Sequence, residues 1–544
     1  MRVAEAIGRA LAAEGVRQVF GVVGSGNFHL TNALVDAGAA FVAARHEAGA
    51  TTMADGWARS TDEVGVVTVH QGCGFTNTLT GLTEAAKSRT PLLVLAAAVV
   101  DPRANFFVDQ PALARAVGAE SRTATSADTA VAQAVAAYRL ARDERRAVVL
   151  DLPLDVQAAD APADVQVPAP VAVPVPEPTA EAATALAAAL QAARRPVFVA
   201  GRGARGPDAR DALRALAARC GALLATSAVA RGLFVGDPWS LDVSGGFATD
   251  LAAELIGQAD LVVGWGCALN GWTTRHGRLL HPDAVLAQVD VELEAIGRHR
   301  PVDVGVLGDV AATAAAVGEL VGPARTGWRT DAVGARIAAE GRWADVATPD
   351  TSTADRIDPR VLSRELDSLL PAERVVAVDS GNFMGYPSMY LSVPDERGFC
   401  FTQAFQSVGL GLATAIGAAV AQPHRLPVAA LGDGGALMGA SELETVVRLG
   451  LGMLVVVYDD AAYGAEVHHF GPDGYDVGLA RFPDADLAAW ARGLGFGAVT
   501  VRTAADLAPV AEWLAGPRDR PFLVDAKVVD AAPSWWLEEA FRSH

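Results

Sequence analysis

Short apolar runs alternate along the whole chain with stretches of helical periodicity, and few folds accept that pattern. Strands are expected at 19–23, 41–44, 64–69 and 92–97, at 196–200, 261–264 and 285–289, and at 375–378, 428–431 and 453–458. Helical stretches such as 48–60 and 76–88 separate them. Runs that are apolar throughout and joined by helices specify parallel sheets covered on both faces. Two breaks divide the pattern. Prolines crowd residues 159–178, where they remove backbone donors and favour extended chain. A softer break spans 326–359. The expected fold class is α/β, with three doubly wound parallel-sheet domains at 1–160, 181–325 and 359–544. Linkers are expected at 161–180 and 326–358. The first and third blocks look like copies of one architecture.

Charge bears on what such domains bind. Lysine and arginine number 44 against 63 acidic residues, a net charge of −19 with histidine neutral. A general nucleic-acid binder needs a basic surface to displace phosphate counterions, so that class is excluded. A phosphate ligand remains compatible, because backbone N–H groups and a metal can hold one. The cysteines, at 73, 220, 267 and 400, form no CxxC pair, so neither a zinc ribbon nor a disulfide framework is expected. The longest apolar run, 92–100, is shorter than the about 20 residues a membrane helix needs. Glu5 stands where a signal peptide would begin its apolar core. A cytoplasmic protein without a membrane partner is expected.

The most informative stretch is Gly432-Asp433-Gly434-Gly435, then a helix near 441–449, a strand, and Asp459-Asp460. Glycines let the backbone approach a bulky anion and adopt positive φ. If the two strands are adjacent and parallel, Asp433 and Asp460 emerge at one carboxyl edge. Neighbouring strands lie about 4.8 Å apart, so both acids can reach one hard cation. A Mg²⁺ ion bridging these carboxylates to a diphosphate is the natural reading. A glycine-rich turn beside a solvated acidic loop explains GDG alone, but not the whole series.

With these residues the chain resembles the thiamine-diphosphate enzymes of the decarboxylase and acetolactate-synthase superfamily. Their cofactor signature is GDG followed downstream by Asn-Asn or Asn-Asp. The resemblance implies that Asp433, Asp460 and the backbone carbonyl of Ala462 bind magnesium. Asp459 departs from the first Asn and is expected to add a carboxylate near the diphosphate, against cofactor affinity. Arg45-His46-Glu47-Ala48-Gly49-Ala50 and Met53 to Arg59 resemble the family's R-H-E-x-x-A and A-x-G-Y-A-R segments. By that match Glu47 is the acid on the aminopyrimidine ring; its structural alternative is a first-turn helix acid. Asp379-Ser380-Gly381-Asn382 looks like the second diphosphate loop. Gly409 to Ala413 resembles the small-residue helix start, which puts Val408 where an apolar side chain supports the bent cofactor. The same resemblance implies that Gly381, Asn382, Gly434, Gly435 and Tyr463 contact the cofactor. It also implies that the three domains are aminopyrimidine-binding, central and diphosphate-binding.

On the substrate side, Ser25 and His70 resemble benzoylformate decarboxylase rather than acetolactate synthases, which carry Thr-Ser-Gly-Pro-Gly near the second position. A histidine at a strand's carboxyl end suits proton transfer near neutral pH; a carbonyl-bonded histidine is the alternative. Glu466 follows Asp460 by six residues, the offset of the active-site glutamate in pyruvate and indolepyruvate decarboxylases. An exposed helix acid is its alternative. His468 and His469 share that element, and Gln110 is expected at the entrance. The middle block resembles the domain that binds FAD in acetolactate synthases. Gly201-Arg202-Gly203 is compatible with that role, but the arginine-bearing segment is replaced by Gly266 to Trp272, which argues against FAD. No GxGxxG follows a strand, which argues against a nicotinamide dehydrogenase.

The expected activity is decarboxylation of a small-molecule 2-oxo acid with release of an aldehyde. The alternatives are ligation of the acyl unit to a second carbonyl substrate, and a non-catalytic subunit that keeps the fold. The family's sites lie between subunits, so a homodimer or homotetramer is implied.

Overall fold

The computed structural model describes residues 1–164, 169, 173–530 and 534–537. Their strands form three six-stranded sheets in which every pairing is parallel. The first contains β1 (Gln18–Gly21), β2 (Ala40–Ala43), β3 (Gly65–Val69), β4 (Leu92–Ala98), β5 (Glu120–Thr123) and β6 (Ala147–Pro153), in the order β2-β1-β3-β4-β6-β5. The second contains β7 (Pro196–Ala200), β8 (Leu223–Thr226), β9 (Ser240–Val243), β10 (Leu261–Trp265), β11 (Val285–Asp290) and β12 (Val304–Leu307), in the order β12-β11-β10-β7-β8-β9. The third contains β13 (Arg374–Val378), β14 (Phe399–Phe401), β15 (Leu426–Gly432), β16 (Leu454–Asp459), β17 (Gly497–Val501) and β18 (Phe522–Lys527), in the order β14-β13-β15-β16-β18-β17.

The third sheet repeats the topology of the first strand for strand, as the sequence suggested. The second has the strand order of dinucleotide-binding sheets. In sheets one and three the direction of winding reverses beside the first strand. Ligands of open α/β sheets sit at the carboxyl ends next to such a reversal. That point lies between β1 and β3 in one sheet and between β13 and β15 in the other.

Sheets one and three dock through two helices, Glu47–Thr61 and Gly411–Ala421, whose small residues let backbones meet. A Cβ at Gly417 would lie 2.0 Å from the Met53 carbonyl oxygen, and one at Gly56 would lie 2.6 Å from that of Thr414. Larger residues would force the helices apart. A buried ion network reinforces the joint. Arg59 bonds Asp55 at 2.7 Å and Glu84 at 2.8 Å, and donates to the Phe401 carbonyl at 3.0 Å. Glu84 in turn accepts the N–H groups of Ala404 and Phe405 at 3.2 and 2.6 Å.

Two expectations change. The helix expected at 76–88 is two helices, Cys73–Asn77 and Leu79–Ser88, parted at Thr78, whose hydroxyl bonds the Phe75 carbonyl at 2.6 Å. The linker expected at 326–358 contains the helix Asp331–Glu340. Trp328 and Trp343 are buried beside it, and the Trp343 indole donates to Phe247 at 2.7 Å. Aromatic anchors make an ordered connection of a segment that composition reads as loose. Of the linker expected at 161–180, residues 165–168 and 170–172 lie outside the described residues. Among the described residues no helix is long and apolar enough to cross a membrane.

Candidate functional site

β15 and β16 are adjacent and parallel, with Gly432 opposite Tyr458. Asp433 and Asp460 therefore leave the same sheet edge, and both line a cavity of about 250 Å³. The same cavity is lined by Gly381, Asn382, Val408, Gly434, Gly435, Ala462, Tyr463 and Glu466, so the third block's expected site residues come together. Burial pushes Asp433 up to about 7, with the Asp459 carboxylate adding to the effect. Burial pushes Asp460 up to about 8, with Asp433 adding to it. Two acids thus share one enclosed space and repel each other.

The glycines act differently from the expectation of positive φ. Asp433 opens a short helix, Asp433–Met438, and Gly432 before it is extended at φ −85°. Gly434 and Gly435 matter through close approach. A Cβ at Gly435 would lie 2.2 Å from Asp379 Oδ2, and one at Gly434 would lie 2.9 Å from the Tyr463 ring. Positive φ occurs instead at Gly381 (140°) and Gly409 (93°).

Asp379 organises these turns. It is fully buried, and its carboxylate accepts the N–H groups of Ser380 (2.9 Å), Gly409 (3.0 Å) and Leu410 (3.2 Å). Burial pushes it up to about 6 against those donors. The tie fixes Val408, which lies one residue before Gly409. Asn382 is held by Ser534, whose hydroxyl donates to the Asn382 side chain at 2.6 Å, and by the Trp536 indole, which donates to its carbonyl at 3.1 Å. No sequence pattern singled out Ser534 or Trp536.

Asp459 is corrected. It does not add a free carboxylate beside the diphosphate loop. Its side chain is 2% exposed and bonds Lys527 Nζ at 2.5 Å. His468, left open with His469, faces Asp530 at 2.7 Å, and His469 packs edge-on against Phe470.

A second cluster occupies the equivalent edge of sheet one. Ser25 follows β1 and is exposed, and His70 follows β3. A Cβ at Gly24 would lie 2.8 Å from His70 Cδ2. One at Gly74 would lie 3.0 Å from His70 Cβ and 3.3 Å from Glu47 Oε1, so His70 and Glu47 flank that glycine. The His70 ring packs 5.1 Å from Phe106, and its Nδ1 pairs with the Gln71 side chain. Glu47 Oε2 accepts from Asn77 Nδ2 at 2.9 Å, a partner that sequence did not reveal. Gln110 differs from expectation. It is 3% exposed, not at an entrance, and its amide is used by Gly72 N–H (3.1 Å), Ala97 O (3.1 Å) and Asp151 (2.5 Å). None of Ser25, Glu47, His70 or Gln110 lines the sheet-three cavity of its own chain.

Family models match the chain in three consecutive pieces. The N-terminal TPP binding domain of thiamine pyrophosphate enzymes covers residues 1–110, the central domain 183–317 and the C-terminal TPP binding domain 379–526. The chain belongs to the thiamine pyrophosphate enzyme family. As a thiamine pyrophosphate (thiamine diphosphate) enzyme it carries Ser25, Glu47 and His70 in the first matched piece, and the residues from Asp379 to Glu466 in the third. Its curated relatives include a sulfoacetaldehyde acetyltransferase of Castellaniella defragrans, 28% identical over 94% of this chain and 90% of the relative. A probable 2-ketoarginine decarboxylase of Pseudomonas aeruginosa is 31% identical over 90% of this chain and 88% of its own. A probable acetolactate synthase large subunit of Methanocaldococcus jannaschii is 26% identical over 89% and 85%. These names span decarboxylation and acyl transfer, and they support the decarboxylase and acetolactate-synthase superfamily read from the sequence.

Proposed function

We propose that this thiamine-diphosphate enzyme is Mg²⁺-dependent and decarboxylates a 2-oxo acid, releasing the acyl unit as an aldehyde. The observation that carries the cofactor site is the buried Asp433–Asp460 pair on one cavity. Such a pair with phosphate oxygens forms an all-oxygen donor set, which suits Mg²⁺ bound through one or two carboxylates. Among the described residues no group of three or more His, Cys, Asp or Glu could hold a metal by itself. The Ala462 carbonyl and the ligand's own oxygens would add to that donor set.

Thiamine diphosphate, when bound, supplies a thiazolium ring that accepts the electrons left by departing carbon dioxide. The residues do the rest. Asp433, Asp460 and Ala462 hold the metal. Gly381, Asn382, Gly434, Gly435 and Tyr463 would border the diphosphate, and Val408 would give the cofactor an apolar support. Glu47 holds a proton at the aminopyrimidine nitrogen. Ser25 and His70 orient the substrate carboxylate and hold a proton near its keto oxygen. Glu466, exposed and lining the cavity, delivers the proton that makes an aldehyde of the acyl carbon. Gln110 holds the loop at Gly72 beneath His70.

Glu47 and Asp433 belong to separate clusters, so two copies of the chain complete two sites, in a homodimer or a pair of dimers. The central domain takes no FAD in this reading. Arg202 donates to Ser88, and a Cβ at Gly203 would lie 2.8 Å from the Gly266 backbone. Free cysteines at 73, 220, 267 and 400 suit a reducing cytoplasm.

The second reading is a carboligase that joins the acyl unit to another carbonyl compound, favoured by the acetyltransferase and acetolactate synthase relatives. A screen of 2-oxo acids, following carbon dioxide and identifying products with and without thiamine diphosphate and Mg²⁺, separates the readings. Cofactor-dependent aldehyde release is expected. A dominant acyloin or acetohydroxy acid would favour the carboligase. No carbon dioxide from any 2-oxo acid would point to a non-catalytic subunit.

A further inference from the structure

We propose that Lys527 and Asp459 form a buried positioning pair that sets the Asp460–Ala462 turn, and with it the metal and diphosphate site. This rests on the proposed cofactor site and adds to it two residues that do not line the cavity. The two are cross-strand neighbours, the last register pair of β16 and β18. Lys527 is 3% exposed, and its ammonium donates to Asp459 Oδ2 at 2.5 Å and to the Ala485 carbonyl at 2.6 Å, with Asp525 Oδ1 as a second ion-pair partner at 3.1 Å. Two hydrogen bonds and a second carboxylate hold the ammonium in place.

The other oxygen of Asp459 does the positioning. Oδ1 accepts the Ala461 N–H at 2.9 Å. Ala461 sits at φ 55°, a left-handed conformation that an alanine rarely adopts unless its surroundings impose it. That residue separates Asp460 from Ala462, both of which line the cavity. Arg356 adds a backbone clamp at the same edge, donating to the carbonyls of Asp459 at 3.2 Å and Val528 at 3.1 Å. The lysine therefore has two effects. It holds the acceptor that imposes the turn, and it offsets part of the charge of a third carboxylate beside Asp433 and Asp460.

The pair makes charge and shape separable. Asp459→Asn keeps an acceptor for Ala461, whereas Asp459→Ala removes it. Titration of thiamine diphosphate at fixed Mg²⁺, read by calorimetry, should give Asp459→Asn a smaller loss than Asp459→Ala, whose affinity should fall by about tenfold or more. Lys527→Met should also weaken binding, because it leaves the Asp459 and Asp525 carboxylates buried without their cation, and Asp459→Asn in the same chain should restore part of the loss by removing one of those two charges. Amide hydrogen exchange at Ala461 in the cofactor-free protein reads the turn directly. Protection should survive in Asp459→Asn and fall in Asp459→Ala. Equal exchange and equal affinity in the Asn and Ala variants would overturn the positioning role. Failure of the wild type to bind thiamine diphosphate would sink the proposed function instead, while the exchange measurement would still decide the turn. If Lys527→Met does not fold, the Asn–Ala comparison remains decisive.

Discussion

The Glu442 carboxylate accepts the backbone N–H of His46 at 3.0 Å, one residue before Glu47. It also accepts Arg45 N–H at 3.0 Å and the Thr445 hydroxyl at 2.7 Å. The third sheet's domain thus holds the first turn of the helix that carries Glu47. Gly49 makes the approach possible, since a Cβ there would lie 2.4 Å from Glu442 Oε1. Gly49→Ala should displace a carboxylate that is already fully committed, at a cost of about 1–3 kcal/mol. Urea unfolding should show the lower midpoint. An unchanged midpoint would mean that Glu442 yields freely.

Asp151 gives the protein a pH-dependent weakness. It lies on β6 and is 1% exposed; one oxygen bonds Gln110, and Oδ2 has no partner among the described residues. Burial pushes its carboxyl up to about 6. A carboxyl raised in the fold binds its proton more tightly there than in the unfolded chain, where its value is about 3.9. Stability contributed at low pH is therefore lost as pH climbs from about 4 to about 6, and it stays lost above. Asp151→Asn should match wild type near pH 4 and exceed it at pH 7 by about 1–3 kcal/mol. Thermal melts across that range test this, and parallel curves for the two proteins would refute it.

Most strands that sequence declared are buried on both faces, and β2, an edge strand with an exposed residue, is the exception. β4 and β16 are buried at every residue; β4 is an unbroken apolar run, and β16 is one until Asp459 at its end. Two edge strands were silent for other reasons. β5 is Glu-Ser-Arg-Thr, with no residue fully buried, and β14 has only three residues. β6 and β18 are interior strands, yet each carries buried charge, Asp151 in one and Asp525 with Lys527 in the other. Those charges break the apolar run that identifies an interior strand. The site followed the same logic. Asp433 and Asp460 were legible because a turn, a helix and a strand fix their separation. Lys527 was not, because only register across β16 and β18 brings it to Asp459. The copied topology of sheets one and three was legible as rhythm. Its consequence, two clusters at equivalent edges, needed the strand order.

Those two clusters make assembly testable in a mixture. If Glu47 of one copy meets Asp433 of another, a dimer of Glu47→Gln with Asp433→Ala contains one site with both changes and one with neither. Random co-assembly of equal amounts should then recover about a quarter of wild-type activity from two inactive parents, as two-fold symmetry requires. If each site were built within one chain, the mixture would stay as inactive as its parents. Analytical ultracentrifugation of the same samples should show dimers or tetramers. Full activity in a monomeric species would exclude the shared site.

Glu47 and Glu466 are expected to control different stages, and replacing each by glutamine separates them. Glu47→Gln preserves shape but gives the aminopyrimidine nitrogen a neutral partner. Positioned acid–base groups contribute about 10²–10⁴-fold, so turnover should fall by about that factor, or about 3–5 kcal/mol in barrier. Deuterium exchange at C2 of bound thiamine diphosphate should slow in parallel, while metal affinity holds. Because Glu47 lies on sheet one's edge and Asp433 on sheet three's, the substitution leaves the metal acids untouched. Glu466 lines the cavity close to Asp460 in sequence, yet it is exposed and on a helix of its own, Gly464–Phe470. Its replacement should leave C2 exchange fast, slow aldehyde release and raise the ratio of any acyloin to aldehyde. Product analysis of both variants with one 2-oxo acid, beside the exchange measurement, reads both stages. Unchanged C2 exchange in Glu47→Gln would remove the activation step assigned to that acid. An unchanged product spectrum in Glu466→Gln would make Glu466 an exposed helix acid and shift the balance to the carboligase reading, because protonation would then have no assigned donor.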